Sequence, residues 1–306
     1  MPSIDTRVEA SGGRPLVSIV MPDHNAGDYV SEAVENIAMQ TFLQRGNLEL
    51  IVVDDGSNPG ELDILKELQT QYGWVFEQFI VHSTPQGGKN KAIEAGKPYI
   101  NKERSKFTFV ADADDNIYPL FVDNLFNHMT IKNSQNPNVV MVYSDNLLID
   151  KEGRIFAKGV AREFTRETYF DPNPKKNTNY IPGNALVLTD VFLAGIPIDL
   201  KTSNRDKKLR HVAELGDNGE ASHLPNPLFF YRQHPDQMSG HWNQLSRDNQ
   251  FGKGGISDAW PKDISRYHWR EWLQLPIEKQ LQILSRMPIV WNELYWQNYR
   301  NNPKSK

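Results

Sequence analysis

Apolar and polar positions follow a repeating scheme through the first half of the chain. A short, unbroken apolar run ends in a polar cluster, and a segment with apolar residues three and four apart comes next. Runs of the first kind, rich in β-branched and aromatic residues and lacking a polar face, predict buried strands; the second kind predicts amphipathic helices. Strands are expected at residues 16–21, 48–53, 76–81, 107–111 and 139–143. Helices are expected between them. The first is capped by Asp28 and carries Val30, Ala33, Val34 and Ile37; the second carries Leu62, Leu65 and Leu68. A third opens at residues 86–90 and runs through Ala95, and a fourth spans residues 120–129. This alternation predicts an α/β fold with a mainly parallel sheet and helices on both of its faces.

Beyond Tyr143 the pattern changes. Residues 150–154, between two short apolar runs, predict a hairpin turn. Residues 162–178 are polar and rich in Pro and Asn, as a loop over a site would be. A strand at 180–188, a helix at 209–215 and a strand at 228–234 follow. Five tryptophans then cluster: Trp260, Trp269, Trp272, Trp291 and Trp296. Ile277, Leu281 and Leu284 keep helical spacing, as do Trp291, Leu294 and Tyr295, so the tail is expected to be a helical appendage. Its aromatic residues either pack it onto the domain or offer a surface to a peripheral membrane or protein partner, and packing is the expected outcome. The expected organisation is a flexible lead (1–15), a main domain (16–245, in halves 16–145 and 146–245) and a tail (246–306).

Composition narrows the class. The chain has 306 residues, 39% of them hydrophobic and 24% charged, as in a soluble globular protein. A net charge of -4 gives no overall basic field for nucleic acid. The absence of cysteine excludes disulfides, thiolate metal sites and a cysteine nucleophile. No apolar run is long enough to span a membrane and residues 1–14 lack a signal-peptide core, so a cytoplasmic protein is expected.

The candidate chemistry sits where the strands end. Asp23-His24-Asn25, Asp54-Asp55 and Asp112-Ala113-Asp114-Asp115 each follow an apolar run. Ligands of open α/β sheets bind at the carboxyl edge. Gathering carboxylates there costs free energy unless a cation or donors offset the repulsion, and a divalent ion bridging to phosphate oxygens does so. Any one cluster also reads as an acidic turn in water; three on one edge make the stronger pattern. Neither Gly-x-Gly-x-x-Gly nor Gly-x-x-x-x-Gly-Lys-Ser/Thr is present. Gln86-Gly87-Gly88-Lys89 brings backbone N–H groups and one cation to a helix start, either for a phosphate or as an ordinary glycine turn.

Several of these segments, in order, resemble family 2 glycosyltransferases of GT-A fold. They are Val17-Ser18-Ile19-Val20-Met21-Pro22-x-x-Asn25, Val52-Val53-Asp54-Asp55-Gly56-Ser57, Asp112-x-Asp114-Asp115 followed by Pro119, and Tyr231-Arg232-x-His234 followed by Met238-Ser239. The resemblance covers about residues 16–240. It implies inverting transfer of a sugar from a nucleotide-diphosphate donor, a UDP-sugar by default, to a glycan or other hydroxyl acceptor, with Mn²⁺ or Mg²⁺. By motif position, Pro22, His24, Asn25 and Asp55 would line the nucleoside pocket, with His24 in place of the usual Tyr. Lys89 stands for a family Arg near the nucleotide. Asp112 and Asp114 would hold the ribose and the metal, Asp115 would share either role, and His234 would complete the metal shell. Asn184 would face the acceptor or form a structural turn.

The sequence departs from the family pattern at the catalytic base. Where Glu-Asp is usual, residues 202–210 offer only Asp206, flanked by Arg205 and Lys207, with Asp217 and Glu220 as fallbacks. His211 and His223 read as packing or surface residues, and contact of His241 or Trp242 with pyrophosphate or acceptor is the lesser reading of those two. Two alternatives stand beside the transferase: a catalytically weak donor-binding or scaffolding module, and a nucleotidyltransferase. The second needs a basic, glycine-rich loop after the first strand, and residues 22–26 are not one.

Overall fold

The computed structural model describes residues 13–170, 181–194, 211, 214–234, 263 and 265–291. In chain order the elements are β1 (Leu16–Asp23), α1 (Asp28–Ala38), β2 (Asn47–Asp55), α2 (Pro59–Tyr72), β3 (Gln78–Thr84), α3 (Lys89–Gly96), β4 (Ser105–Val110), β5 (Asn116–Ile117), α4 (Phe121–Gln135) and β6 (Val139–Ile149). There follow β7 (Ile155–Val160), α5 (Arg166–Tyr169), β8 (Leu186–Leu188), α6 (Thr189–Ala194), β9 (Glu220–Arg232), α7 (Trp269–Leu273), α8 (Ile277–Leu284) and β10 (Ile289–Trp291). The chain divides into two compact units, Met1–Tyr143 with Gly183–Leu224, and Ser144–Pro182 with Pro225–Lys306.

The first unit is the predicted alternating α/β layer. β1 is buried along its whole length and pairs in parallel with β2 on one side and β4 on the other. β2 in turn pairs in parallel with β3. Strands covered on both faces read as continuous apolar runs, which is why these were legible. Successive side chains point to opposite faces, so register shows what covers each face. Val20, Ile51 and Val53 face α3 at Gly96, where an added Cβ would lie 2.8 Å from Val20 Cγ1. Phe107 and Phe109 point the other way and pack on Phe126 and Phe121 of α4, with ring centroids 5.0 and 4.9 Å apart. Helices therefore lie on both faces, as expected. β8 joins β4 antiparallel.

Several boundaries differ from the sequence reading. Asp28 lies in the first turn of α1, where its charge suits the helix N-terminus, and the cap position belongs to Gly27. β3 starts later and runs to Thr84, because it follows β2 in register until Asp55 meets Thr84. β8 is only three residues long, and β9 begins at Glu220, earlier than its apolar run. The helix expected at 209–215 is described only at His211, Glu214 and Leu215.

The second unit is built on a hairpin and the chain's tail. β6 and β7 pair antiparallel around the turn at 150–154. Arg154 N–H donates to Asp150 Oδ1 (2.8 Å), and Gly153 supplies a positive φ of 81°. Trp269 and Trp272 of α7 are buried, and Trp269 lies 6.1 Å from the Phe230 ring of β9. These two tryptophans pack as expected; Trp260 and Trp296 lie outside the described residues. One tail expectation is borne out and one is overturned. The helix expected from Ile277, Leu281 and Leu284 forms as α8, in which Gln280 and Ile283 are buried while Ile277 and Leu281 are exposed. Gln280 turns inward because its amide donates to Trp272 O (3.1 Å) and Leu275 O (3.0 Å), answering carbonyls at the end of α7. Trp291 is in a strand, not a helix: Pro288 precedes a short Ile-Val-Trp run that pairs in parallel with β7. Among the described residues no helix is long and apolar enough to cross a membrane.

Candidate functional site

Parallel register brings the strand ends of the first unit together. Asp23 stands beside Asp54, Asp54 beside Ser83, and Asp55 beside Thr84. β4 leaves its pairing with β1 at Val110, and Ala111 N–H still donates to Val20 O (3.0 Å). Asp112 to Asp115 therefore emerge next to the tip of β1. The three polar clusters expected to converge do so.

One side of the site is an ordered loop system centred on Asp55. Its carboxylate accepts from Gly87 N–H (2.6 Å) and Gly88 N–H (2.7 Å), one on each oxygen, and so shapes the turn that opens α3. Gly88 has φ of 92°. Gly56 has φ of 67°, and a Cβ there would sit 2.5 Å from Gln86 N, so both geometry and space demand glycine. Asp54 accepts from Ser57 N–H (2.9 Å) and Ser83 Oγ (2.6 Å). Burial opposes its charge most, yet these donors together hold its carboxyl below the usual range.

His24 lies across this loop with its ring exposed. Its Nδ1 is 3.0 Å from Asp55 O. A carbonyl only accepts, so Nδ1 carries the proton and Nε2 is an acceptor. The Nε2 atom lies 3.2 Å from Asn25 Nδ2 and 3.1 Å from Gln86 Nε2. Asn58 N–H donates to Asn25 Oδ1 (2.9 Å), which fixes the way the Asn25 amide faces. Asn25 itself has φ of 53°, a left-handed conformation that asparagine tolerates best among non-glycines. Pro22 is buried beneath this loop system, at the end of β1.

Beneath the loop lies an arrangement that sequence reasoning missed. Asp23 and Glu61 are both buried and their carboxyls face each other. Glu61 also accepts from Gly27 N–H at 3.0 and 3.1 Å. Burial first, then the charge of Glu61 and a hydrogen bond with it, then Asp54, push the Asp23 carboxyl up to about 8. Raised this far, the Asp23 carboxyl keeps its proton at neutral pH beside Glu61, in the first turn of α2. The sequence cue was slight: an acid in the first turn of α2 normally answers only the helix N-terminus.

The other side is acidic. Ligand atoms of Asp112, Asp114 and Asp115 all lie within 4.8 Å of one another, with Asp115 buried and the other two half-buried. Lys89, the first residue of α3, forms an ion pair with Asp112. A compact set of carboxylate oxygens fits a hard divalent cation, and thiolate or all-imidazole chemistry is not on offer here.

The remaining candidates are placed as follows. Asn184 is fully buried just before β8. His234 follows β9 in the second unit. Asp206, His241 and Trp242 lie outside the described residues. Asp217 is exposed, and Glu220 accepts from Asn136 Nδ2 (3.0 Å). His211 is buried with Nδ1 3.0 Å from Glu214 Oε2, and His223 stacks on Tyr143 at 5.2 Å, so both pack as expected.

Known proteins share this pattern. An uncharacterized glycosyltransferase of Rickettsia bellii is 31% identical over 141 residues, which is 46% of this chain and 18% of that protein. The chain thus spans only a minor part of that relative's length. The fold matches S. aureus TarS, solved with UDP-GlcNAc, at a TM-score of 0.53 and 17% identity, over 72% of this chain and 59% of that one. It also matches the mannosyltransferase PcManGT of Pyrobaculum calidifontis, solved with GDP-Man and Mn²⁺, at a TM-score of 0.50 and 16% identity, over 90% and 74%. These likenesses establish the GT-A fold. The description "Glycosyl transferase family 2" matches residues 18–194. By that match, which takes in every strand tip of the site, the chain belongs to glycosyl transferase family 2.

Proposed function

We propose that this protein transfers a sugar, with inversion, from a nucleoside-diphosphate donor to a hydroxyl acceptor, using a divalent ion. One observation carries this reading: the Asp55–His24 loop system and the Asp112, Asp114 and Asp115 carboxylates share one edge of a GT-A sheet. The matched structures support it, since TarS was solved with UDP-GlcNAc and PcManGT with GDP-Man and Mn²⁺.

In this reading Pro22, His24, Asn25 and Asp55 surround the nucleoside. The exposed imidazole ring of His24 offers a flat face to the base. Asp55 acts chiefly through the loop it shapes, because both its oxygens are engaged by Gly87 and Gly88. Asp112 and Lys89 face the ribose and diphosphate. Asp114 and Asp115 would hold Mn²⁺ or Mg²⁺. A bound divalent cation supplies Lewis-acid stabilisation of the charge that builds on the leaving diphosphate. Inversion requires a single base on the acceptor hydroxyl, opposite the leaving group, and Asp206 is assigned that role. Asn184, being buried, supports the acceptor side from behind. UDP is the default nucleotide and a glycan the default acceptor.

The test is incubation with Mn²⁺ and a panel of labelled nucleotide sugars. Release of UDP or GDP together with a glycosylated acceptor is expected. Pyrophosphate release would instead indicate nucleotidyl transfer, and binding without turnover a donor-binding module.

A further inference from the structure

Lys89 and Asp112 form an ion pair whose side chains are only 13% and 15% exposed. Asp112 is also one of the three clustered carboxylates. Two cations thus have a claim on one carboxylate: the ammonium that the fold supplies and the ion that the cluster suits. We infer that Lys89 guards the cluster, opposing a divalent ion that arrives alone and yielding when a diphosphate gives its ammonium a new partner. The inference rests on the donor-binding reading above and adds an order of events to it.

The physical argument is one of charge. Three carboxylates with their oxygens inside 4.8 Å repel one another, and one ammonium relieves part of that repulsion. A divalent ion entering beside the ammonium meets like charge in a half-desolvated site, where Coulomb terms are several times larger than in water. A diphosphate reverses the balance. It brings negative charge next to the first residue of α3, so Lys89 can leave Asp112 without being stranded. Ion and diphosphate then favour each other's binding, and the coupling must be equal in both directions. Lys89 also directly follows Gly88, the residue whose N–H fixes the loop on Asp55. The donor loop and the acidic cluster are therefore joined through adjacent residues of one turn.

The experiment measures Mn²⁺ binding to the full chain by paramagnetic resonance of the unbound ion, with and without UDP or GDP. In wild type, Mn²⁺ alone binds weakly and the nucleotide strengthens it. Lys89→Met, with Lys89→Gln as a second neutral variant, is expected to bind Mn²⁺ alone about tenfold tighter or more, as removal of a unit charge beside the ion requires. The same variants bind the nucleotide more weakly, so the strengthening of Mn²⁺ by nucleotide shrinks. Lys89→Arg, which keeps the charge, behaves as wild type, and Asp112→Asn removes the difference between wild type and Lys89→Met. Unchanged or weaker Mn²⁺ binding in folded Lys89→Met and Lys89→Gln overturns the inference. Turnover of nucleotide sugars by the wild type is scored separately. An active enzyme whose Lys89→Met variant shows no gain sinks the guard alone; a gain in an enzyme without turnover sinks the transferase alone.

Discussion

Asp23 shows how far a single residue's setting can depart from what its position in the chain suggests. It ends an apolar run and reads as the first of three polar tip residues, yet it is buried against Glu61. Its carboxyl is raised to about 8 from an ordinary value of 3.8, mainly by burial. A raised carboxyl stabilises the fold fully below its unfolded value, and that contribution is lost as pH climbs from about 4 to about 8. Asp23→Asn should therefore equal wild type at or below about pH 4 and exceed its unfolding free energy by roughly 2 kcal/mol or more at pH 9. Urea unfolding across that range reads the difference. Asp114 gives the opposite case, a residue whose place after a buried strand makes it a candidate ligand in the sequence. Asp114→Asn should abolish Mn²⁺-dependent nucleotide binding while leaving thermal unfolding nearly unchanged, as titration calorimetry and circular dichroism would show. The sequence exposed Asp114 because three acids after a buried strand are conspicuous. It hid the Asp23–Glu61 pair because their contact depends on how α2 is set against the β1–α1 loop.

Elements were legible in proportion to how much their own residues determine them. β1, β2 and β4 are buried on both faces and announce themselves as unbroken apolar runs. β3, β8 and β10 take their limits from the strand alongside, and no local pattern records that partner. Trp291 illustrates the point: its spacing suits a helix, and pairing with β7 decides otherwise. The loop between β2 and α2 depends on Gly56, whose φ of 67° and the 2.5 Å that would separate an added Cβ from Gln86 N leave no room for a side chain. Gly56→Ala should cost about 2 kcal/mol or more of stability. It should weaken nucleotide binding further still, because the displaced Gln86 segment carries the Gly87 and Gly88 amides that clasp Asp55. Denaturant titration and UDP binding, measured on the same preparation, separate the two effects.

At the scale of the whole molecule, family and fold were readable from four motifs in order. Each compact unit draws on segments distant in the chain, with residues 183–224 returning to the first. The tryptophans of α7 anchor the second unit. Trp269→Ala should cost about 3–5 kcal/mol, the usual range for emptying a large buried aromatic site, and calorimetry would show the loss. The strand at residues 289–291 has a role beyond adding area. It lies along the rim of β7, where Ile289, Val290 and Trp291 match Lys158, Gly159 and Val160, with Lys158 N–H donating to Pro288 O (2.9 Å). An unoccupied rim of that kind is a template on which a second molecule can zip. A form shortened before residue 288 should consequently self-associate more than the full chain in light scattering, because losing residues 289–291 bares the rim of β7 to a second molecule.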